Sequence, residues 1–315
     1  MASWESIKNS VKTNARTLEY FVNDVGNAVA FIPEIIGTTC LDGLYWFGNK
    51  IGAKPLFSWL GNVLKNSCSI LGAIMKCVFG ISAGLLGASI KIVGGILTGQ
   101  GPVILHGLWD LASPAIGTII LVIGKLIALV QSIFYLQGFE RPLNADEKAE
   151  LQKIFHKGMN LYLIRIITGH AGIFDATPRA FTLGNTLYLK TDSFPTSLLV
   201  HECSHSWQYH HTGNRYTADA LGAQWFVDDA YNWFKEIENR HKTDWLDFNP
   251  EAQAEFLEDT WRYGNLVDKN GQLVDYAKGS YYLADGKTTF GKFESSGKDL
   301  SDIANNAIRQ IRKGW

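Results

Sequence analysis

Pro195-Thr196-Ser197-Leu198-Leu199-Val200-His201-Glu202-Cys203-Ser204-His205-Ser206-Trp207-Gln208-Tyr209-His210-His211-Thr212-Gly213 is the stretch on which the folding of this chain turns. Asp192 to Pro195 offers a capping acid and a proline for a first turn, and Gly213 suits the position just past a helix end. The pattern predicts a helix from that start to about His211, with Leu198, Leu199, Val200 and Trp207 to bury. Residues four apart on a helix share a face. His201 and His205 therefore point the same way, with Glu202 beside the first.

Two imidazoles on one face can hold one metal ion. Neutral imidazole suits zinc, at bonds of about 2.0–2.1 Å. Glu202 is then placed to act as general base, because zinc lowers the pKa of a water to about 7 and a neighbouring carboxylate can take its proton. A catalytic zinc usually has three protein ligands. His211 would serve if residue 208 were glycine, but Gln208 stands there, so that reading is half met. The other source is a helix from Pro250 to about Tyr263, capped by Asn249. On it, Glu251 is the candidate third ligand, and Glu255, one turn on, the candidate for orienting a ligand histidine. The pair Glu255 and Asp259 has the same spacing and stays open. Otherwise Glu251, Glu255, Glu258 and Asp259 form a solvated acidic face. Tyr209, Tyr216, Tyr231 and His241 are candidate oxyanion donors. His210 and His211 are expected on the surface at the helix end, and Trp225, Phe226 and Trp233 in the core.

The rest of the chain bounds this chemistry. Its 315 residues carry 29 Lys plus Arg against 30 Asp plus Glu, a net charge of -1, with no dense basic run. That excludes nucleic acid as the main partner and a polybasic membrane anchor. Met1-Ala2-Ser3-Trp4-Glu5-Ser6 lacks the basic start and apolar core of a secretory signal, so a cytosolic beginning is expected, with any export by a specialised route. Cys40, Cys68, Cys77 and Cys203 lack the spacing of a disulfide framework and are expected as reduced, buried thiols.

Composition changes near residue 140. From Ser67 to Phe139 the charged residues are Lys76, Lys91, Asp110 and Lys125. Lys76 and Lys91 bound one apolar run, Gly99-Gln100-Gly101-Pro102 breaks the next, and Lys125 interrupts the last. No run of about 20 uninterrupted apolar residues remains for a membrane span. Upstream, Leu18, Phe21, Val22 and Val25 form one stripe, and Gly37, Gly43 and Gly48 are expected to interrupt the chain beyond it. An apolar surface this extensive needs a partner, be it lipid, a chaperone, a secretion apparatus or another protein; a buried hairpin in a soluble bundle is the alternative.

The expected division is an apolar helical region at 1–140, a catalytic domain at 141–266 and an extension at 267–315, with Gln137 to Pro142 as linker. Within the second part, Asn144 and Glu147 read as a capping box. Leu161 to Ile167 is strand-like, Gly184-Asn185 turns a hairpin, and a helix is expected over Tyr216–Phe234. Ser301 to Arg312 reads as an amphipathic helix with Ile303, Ala307 and Ile311 on one side.

The hairpin Ala180-Phe181-Thr182-Leu183-Gly184-Asn185-Thr186-Leu187-Tyr188-Leu189, followed by Leu198 to Tyr209, resembles bacterial zincin-like domains. Those pair a short hairpin with a Leu-Leu-x-His-Glu-x-x-His-x-x-Gln helix, and occur in phage-tail-like and type VI secretion cargo and in Rhs-type polymorphic toxins. The stretch from Glu251 to Glu255 is similar to the carboxylate helix of gluzincins. The resemblance covers roughly residues 145 to 265. It implies an α+β, zincin-like fold of small sheet plus active-site helix, preceded here by an all-α, glycine-rich apolar region. It implies His201, His205 and Glu251 as zinc ligands, Glu202 as base, a protein or peptide substrate, and a secreted effector toxin. Cys203 and Ser204 depart from many relatives without touching the chemistry, and Glu255 stands where many gluzincins have Asp. A protein that inserts into membranes and binds zinc without proteolysis is the rival expectation, and a resident membrane peptidase a third.

Overall fold

The computed structural model describes residues 4–313; the first three residues of the N-terminal reading lie outside the described residues. Three long helices open the chain, α1 (Trp4–Ile51), α2 (Lys54–Thr98) and α3 (Gly101–Ile133). α2 packs along both neighbours, which barely meet each other, so the three form a layer one helix thick. Gly37, Gly43 and Gly48 do not interrupt α1 as expected. Two of them bring α2 close: a Cβ on Gly37 would stand 2.7 Å from that of Cys68, and one on Gly48 2.7 Å from that of Phe57. Gly99, at φ +64°, does end α2, and Pro102 opens α3.

All three helices are long and apolar enough to cross a membrane, by length and composition. Of the lysines expected to spoil such runs, Lys76 and Lys125 are buried against the rest of the chain, and Lys91 is half-buried, paired with Glu19 and Asp110. The apolar stripe read on α1 faces outward in part. Phe21 and Val25 are exposed, while Glu19, Asn23, Asn27, Glu34 and Thr38 are buried.

The remainder is a mixed α+β body. Its first sheet has the order β1 (Arg141–Pro142), β2 (Arg165–Ile167), β4 (Thr186–Tyr188), β3 (Phe181–Leu183). β2 and β4 are parallel, and β3 and β4 form the expected hairpin, turned at Gly184 with φ +69°. Only the end of the expected 161–167 strand is extended; Leu161–Leu163 is a turn of 3-10 helix. α4 (Ala145–Phe155) starts at the Asn144–Glu147 capping box. α5 (Thr196–Thr212) carries the histidines and ends at Gly213. The helix expected from Tyr216 to Phe234 is two, α6 (Arg215–Phe226) and α7 (Trp233–Glu238), split by turns around Asp229, which takes φ +51°.

α8 (Pro250–Tyr263) follows its Asn249 cap. A second sheet, β6 (Leu273–Asp275), β5 (Asn265–Asp268), β7 (Thr289–Lys292), and a hairpin of β8 (Glu294–Ser295) with β9 (Lys298–Asp299) lead to α9 (Ser301–Arg312). The boundary expected at 266/267 falls inside β5. The segment beyond it is no separate extension, because Tyr281, Phe293, Ala307 and Ile311 share one core with Phe155, Ile166, Trp207 and Phe256.

The expected linker is packed too. Glu140 is buried, with Lys65 Nζ 2.5 Å from its Oε2 and its N–H donating to Asn62 Oδ1. The layer and the body meet through further polar contacts. Tyr209 donates to Glu34 at 2.8 Å, Asn185 donates to Glu34 at 2.7 Å, and Arg215 pairs with Asp110 at 2.6 Å. The four cysteines are free thiols; Cys203 is buried, but Cys40 is exposed, against expectation.

Asn249 joins several of these elements. Its Oδ1 accepts from the N–H groups of Glu251 and Ala252, and its Nδ2 donates to Ala230 O and Glu236. Asn249→Ala is expected to lower unfolding free energy by about 1–2 kcal/mol, the scale of a lost cap. Denaturant melts of the two proteins check this.

Candidate metal centre

α5 and α8 face each other and bring the histidines to the carboxylates. His201 Nε2 lies 3.6 Å from Glu251 Oε2, and His205 Nε2 lies 3.4 Å from the same oxygen. All three residues are buried, and their ligand atoms lie within 4.8 Å of one another, a group able to hold a metal ion. Glu251 sits in the first turn of α8 because the Asn249 cap and Pro250 set the start of that helix. Its other oxygen accepts from Gln224 Nε2 at 2.8 Å, which leaves Oε2 for the histidines.

The tautomer of His205 is set by its neighbours. The Gln208 amide nitrogen donates to Pro250 O at 2.9 Å and to Gln253 Oε1 at 2.8 Å. Its oxygen therefore faces His205 Nδ1, 2.8 Å away, which must carry the proton. The lone pair of His205 is then on Nε2, toward Glu251. His201 is oriented from behind by two carboxylates: Nδ1 lies 3.1 Å from Glu258 and 3.4 Å from Glu255, close enough to pair but off the line of a good hydrogen bond. Glu258 is in turn held by Arg262, which also donates to Ser197.

Glu202 is buried beside this group. The Thr182 hydroxyl lies 2.7 Å from its Oε2 and 2.9 Å from its carbonyl oxygen. Burial pushes the Glu202 carboxyl up, against the opposing pull of His205, His201 and Thr182. Burial opposes charge on His201, but Glu251, Glu255 and Glu258 outweigh it and hold the imidazolium well above its ordinary range. His205 is raised in the same way, burial being outweighed by Glu251. Burial likewise works against ionised Glu251, yet the two histidines keep its carboxyl below the usual range. Four carboxylates, Glu202, Glu251, Glu255 and Glu258, face two imidazoles and Arg262, an excess of acid that favours added positive charge, supplied by protons or by a cation.

The structure sorts the other candidates. His210 and His211 are not at the surface: His210 Nε2 meets Asn185 Oδ1 at 2.7 Å, and His211 Nε2 meets Gly158 O at 2.9 Å. His211 is therefore turned away from the metal group, which removes the half-met reading. Asp259 accepts from Trp233 Nε1, so the register of Glu255 with Asp259 is not used. Tyr209 faces Glu34 in the helical layer. Tyr216 lies over His205, but its hydroxyl donates to Thr182 O at 2.7 Å. Tyr231 stacks on His201, ring centres 6.1 Å apart, and stays half-buried, with the Arg179 guanidinium 5.0 Å from its ring centre. His241 is exposed on the loop after α7. Trp233 is in the core as expected, whereas Trp225 and Phe226 are 70% and 84% exposed.

Sequence reading missed four partners. Glu258 had a signal, standing seven residues after Glu251 and four before Arg262 on one helix face. Gln208 had one too, three residues beyond His205. Thr182 and Gln224 had none, because only tertiary packing brings them to Glu202 and Glu251. No protein-family model matches the chain, no curated protein matches it, and no solved structure matches it.

His201→Ala, His205→Ala and Glu251→Ala are each expected to abolish divalent-metal retention after gel filtration, whereas Asp259→Asn retains it; elemental analysis checks this. Glu258→Gln is expected to weaken binding roughly 10–100-fold, the usual effect of losing a carboxylate behind a ligand histidine. Acidity should compete with the metal. The His201 pKa is raised on folding, so its charge stabilises the metal-free protein below about 6.5, and that stabilisation fades as pH climbs through the raised value. Metal needs the neutral ring. The rise in melting temperature on adding metal is therefore expected to grow from pH 6 to 9, as thermal melts with and without metal will measure.

Proposed function

We propose that this chain is a zinc-dependent metallopeptidase with a zincin-like body of gluzincin type. The single observation that carries the reading is the spacing of the donor atoms. Bonds of about 2.0–2.1 Å in a tetrahedron put ligand atoms about 3.3–3.4 Å apart. The two histidine nitrogens lie 3.4 and 3.6 Å from Glu251 Oε2. Two nitrogens and one oxygen suit zinc, and a set of three protein ligands is the catalytic pattern.

Zinc, when bound, supplies Lewis acidity toward a peptide carbonyl and lowers the pKa of a water to about 7. The chain's own residues do the rest. Glu202, raised by burial toward the range of a useful base, accepts a proton at its carboxylate and later passes it to the leaving amine. Thr182 fixes the rotamer of that carboxylate from β3. Gln208 and Glu258 hold the imidazoles in the orientation that presents Nε2. Tyr231, beside His201 and half open to solvent, is the donor best placed for the developing oxyanion. The resemblance to effector-borne zincin-like domains extends the proposal to a secreted toxin exported by a specialised system, acting on a protein or peptide.

Glu202→Gln separates chemistry from binding. It is expected to keep zinc and the melting temperature while lowering cleavage of a peptide library by roughly 10²–10⁴-fold, the contribution of a general base. It should also remove toxicity when produced in a target cell. Unchanged cleavage by this zinc-loaded variant would sink the peptidase reading.

A further inference from the structure

The helical layer turns its polarity inside out. Among the described residues from Phe21 to Ile133, the charged side chains face the body or one another, Lys50 and Lys54 excepted. The opposite face is aliphatic along its centre, where Leu64, Leu71, Ile74, Val78, Ile81 and Leu85 of α2 are all exposed at spacings of three, four and seven. With about 1.5 Å per residue and helices roughly 8–10 Å apart, the face covers on the order of 1,000 Å² or more. That is well beyond the ~300–600 Å² largest patch of an ordinary soluble monomer.

One end of the face has a different composition from its centre. At the α1–α2 turn, Lys50 stands over the Trp46 ring at 5.1 Å and Lys54 over the Tyr45 ring at 4.7 Å. Past the end of α3, Tyr135 stacks on Trp59 and meets Phe139 edge-on. Both clusters lie at one end of the layer, since Trp59 near the start of α2 donates to Ile133 O at the end of α3; aromatic rings with ammonium groups beside an aliphatic face fit the level of lipid headgroups next to acyl chains. A second copy seated on the flat centre would leave this aromatic end in water. The seams between the helices point the same way. Close approach there is made at Gly26, Gly37, Gly48, Gly61 and Gly107, while the large aliphatic side chains point outward.

The body decides how the layer meets lipid. It contacts α1 from Arg16, paired with Asp244, to Asp42, paired with Arg165. Those 26 residues run about 39 Å along the helix, and the nine from Asp42 to Ile51 add only about 14 Å. A bilayer crossing needs about 30 Å of hydrocarbon. Helices upright in the membrane would drag the charged body into it.

We propose that α1–α3 dock flat on a bilayer through the face turned away from the body, without crossing it, and hold the body on the water side. This does not depend on the peptidase reading. With only Lys50 and Lys54 as charges at the aromatic end, binding is mainly apolar and needs no anionic lipid.

The test uses the full chain and sealed vesicles of phosphatidylcholine alone. The expected result is flotation with the vesicles that high salt does not reverse. Val78→Glu, at the centre of the face, is expected to stay in solution with an unchanged circular dichroism spectrum. Ser82→Glu and Leu71→Glu serve as second and third variants if the first misfolds. Asn49→Cys and Gln100→Cys mark the turns at opposite ends of α2. Both are expected to react with an impermeant maleimide added outside, read by peptide mapping so that the native cysteines are scored separately. Protection of one turn means a crossing and overturns the proposal. So does failure to float, whether the chain is then a monomer or a dimer, or flotation of folded glutamate variants like the parent.

Discussion

Two imidazoles and the carboxylates of Glu202, Glu251 and Glu258 lie out of water between α5 and α8, and the surrounding body answers that one constraint. An unpaired ion in a protein interior costs several kcal/mol even after relaxation. Each group here therefore has a partner, and each partner is itself fixed. Gln224 takes one oxygen of Glu251, Arg262 takes one of Glu258, and Thr182 takes one of Glu202. Gln208 holds His205 and is anchored by Gln253, whose amide donates to the carbonyls of Trp245, Leu246 and Phe248. The short helical turn at Trp245–Asp247 thus reaches the metal group through two glutamines. Arg262 offsets one of these carboxylates, and a metal ion held by His201, His205 and Glu251 would offset more of the remaining acid.

The same helix has a second duty. Its metal side carries His201, His205 and Gln208, while Tyr209 and His210 turn to the helical layer. Tyr209 reaches Glu34, and His210 packs edge-on against Phe31 and meets Asn185. Asn185 also donates to Glu34, and Lys65 donates to Thr186, so the β3–β4 hairpin is wedged between layer and α5. That hairpin supplies Thr182, which positions Glu202. A continuous set of contacts therefore runs from the layer through the hairpin to Glu202, and the layer is part of the frame of the site.

Much of this is legible in the amino-acid sequence. The two histidines at a helical spacing, the Gly184-Asn185 turn, the Asn249-Pro250 helix start and the inward face of Ser301–Arg312 all came from local rules, and local rules hold where a segment decides its own shape. Glu251 was reached by the same route. The failures were tertiary. His210 and His211 sit at a helix end, which is normally wet, but here the layer and the Gly158 turn close over them. Trp225 and Phe226 come after a buried helical stretch, yet the turns around Asp229 end α6 and leave them outside. The linker at Gln137 to Pro142 has loop composition but packs because Glu140 meets Lys65.

The apolar helices depart from the expectation of interrupted runs for a physical reason. An apolar stripe marks the buried side only when water is the surroundings. On α1 the informative stripe is polar: Glu19, Asn23, Asn27, Glu34 and Thr38 recur at four or seven residues and all are buried. α2 repeats it with Ser58, Asn62, Lys65, Ser69 and Lys76. In a helix that is otherwise aliphatic, polar side chains at a helical period mark the face that meets protein. Of the lysines that interrupt the apolar runs, Lys76 and Lys125 stand over Tyr209 of the body, while Lys91 joins α1 to α3 through Glu19 and Asp110, so all three mark the side turned away from the aliphatic face.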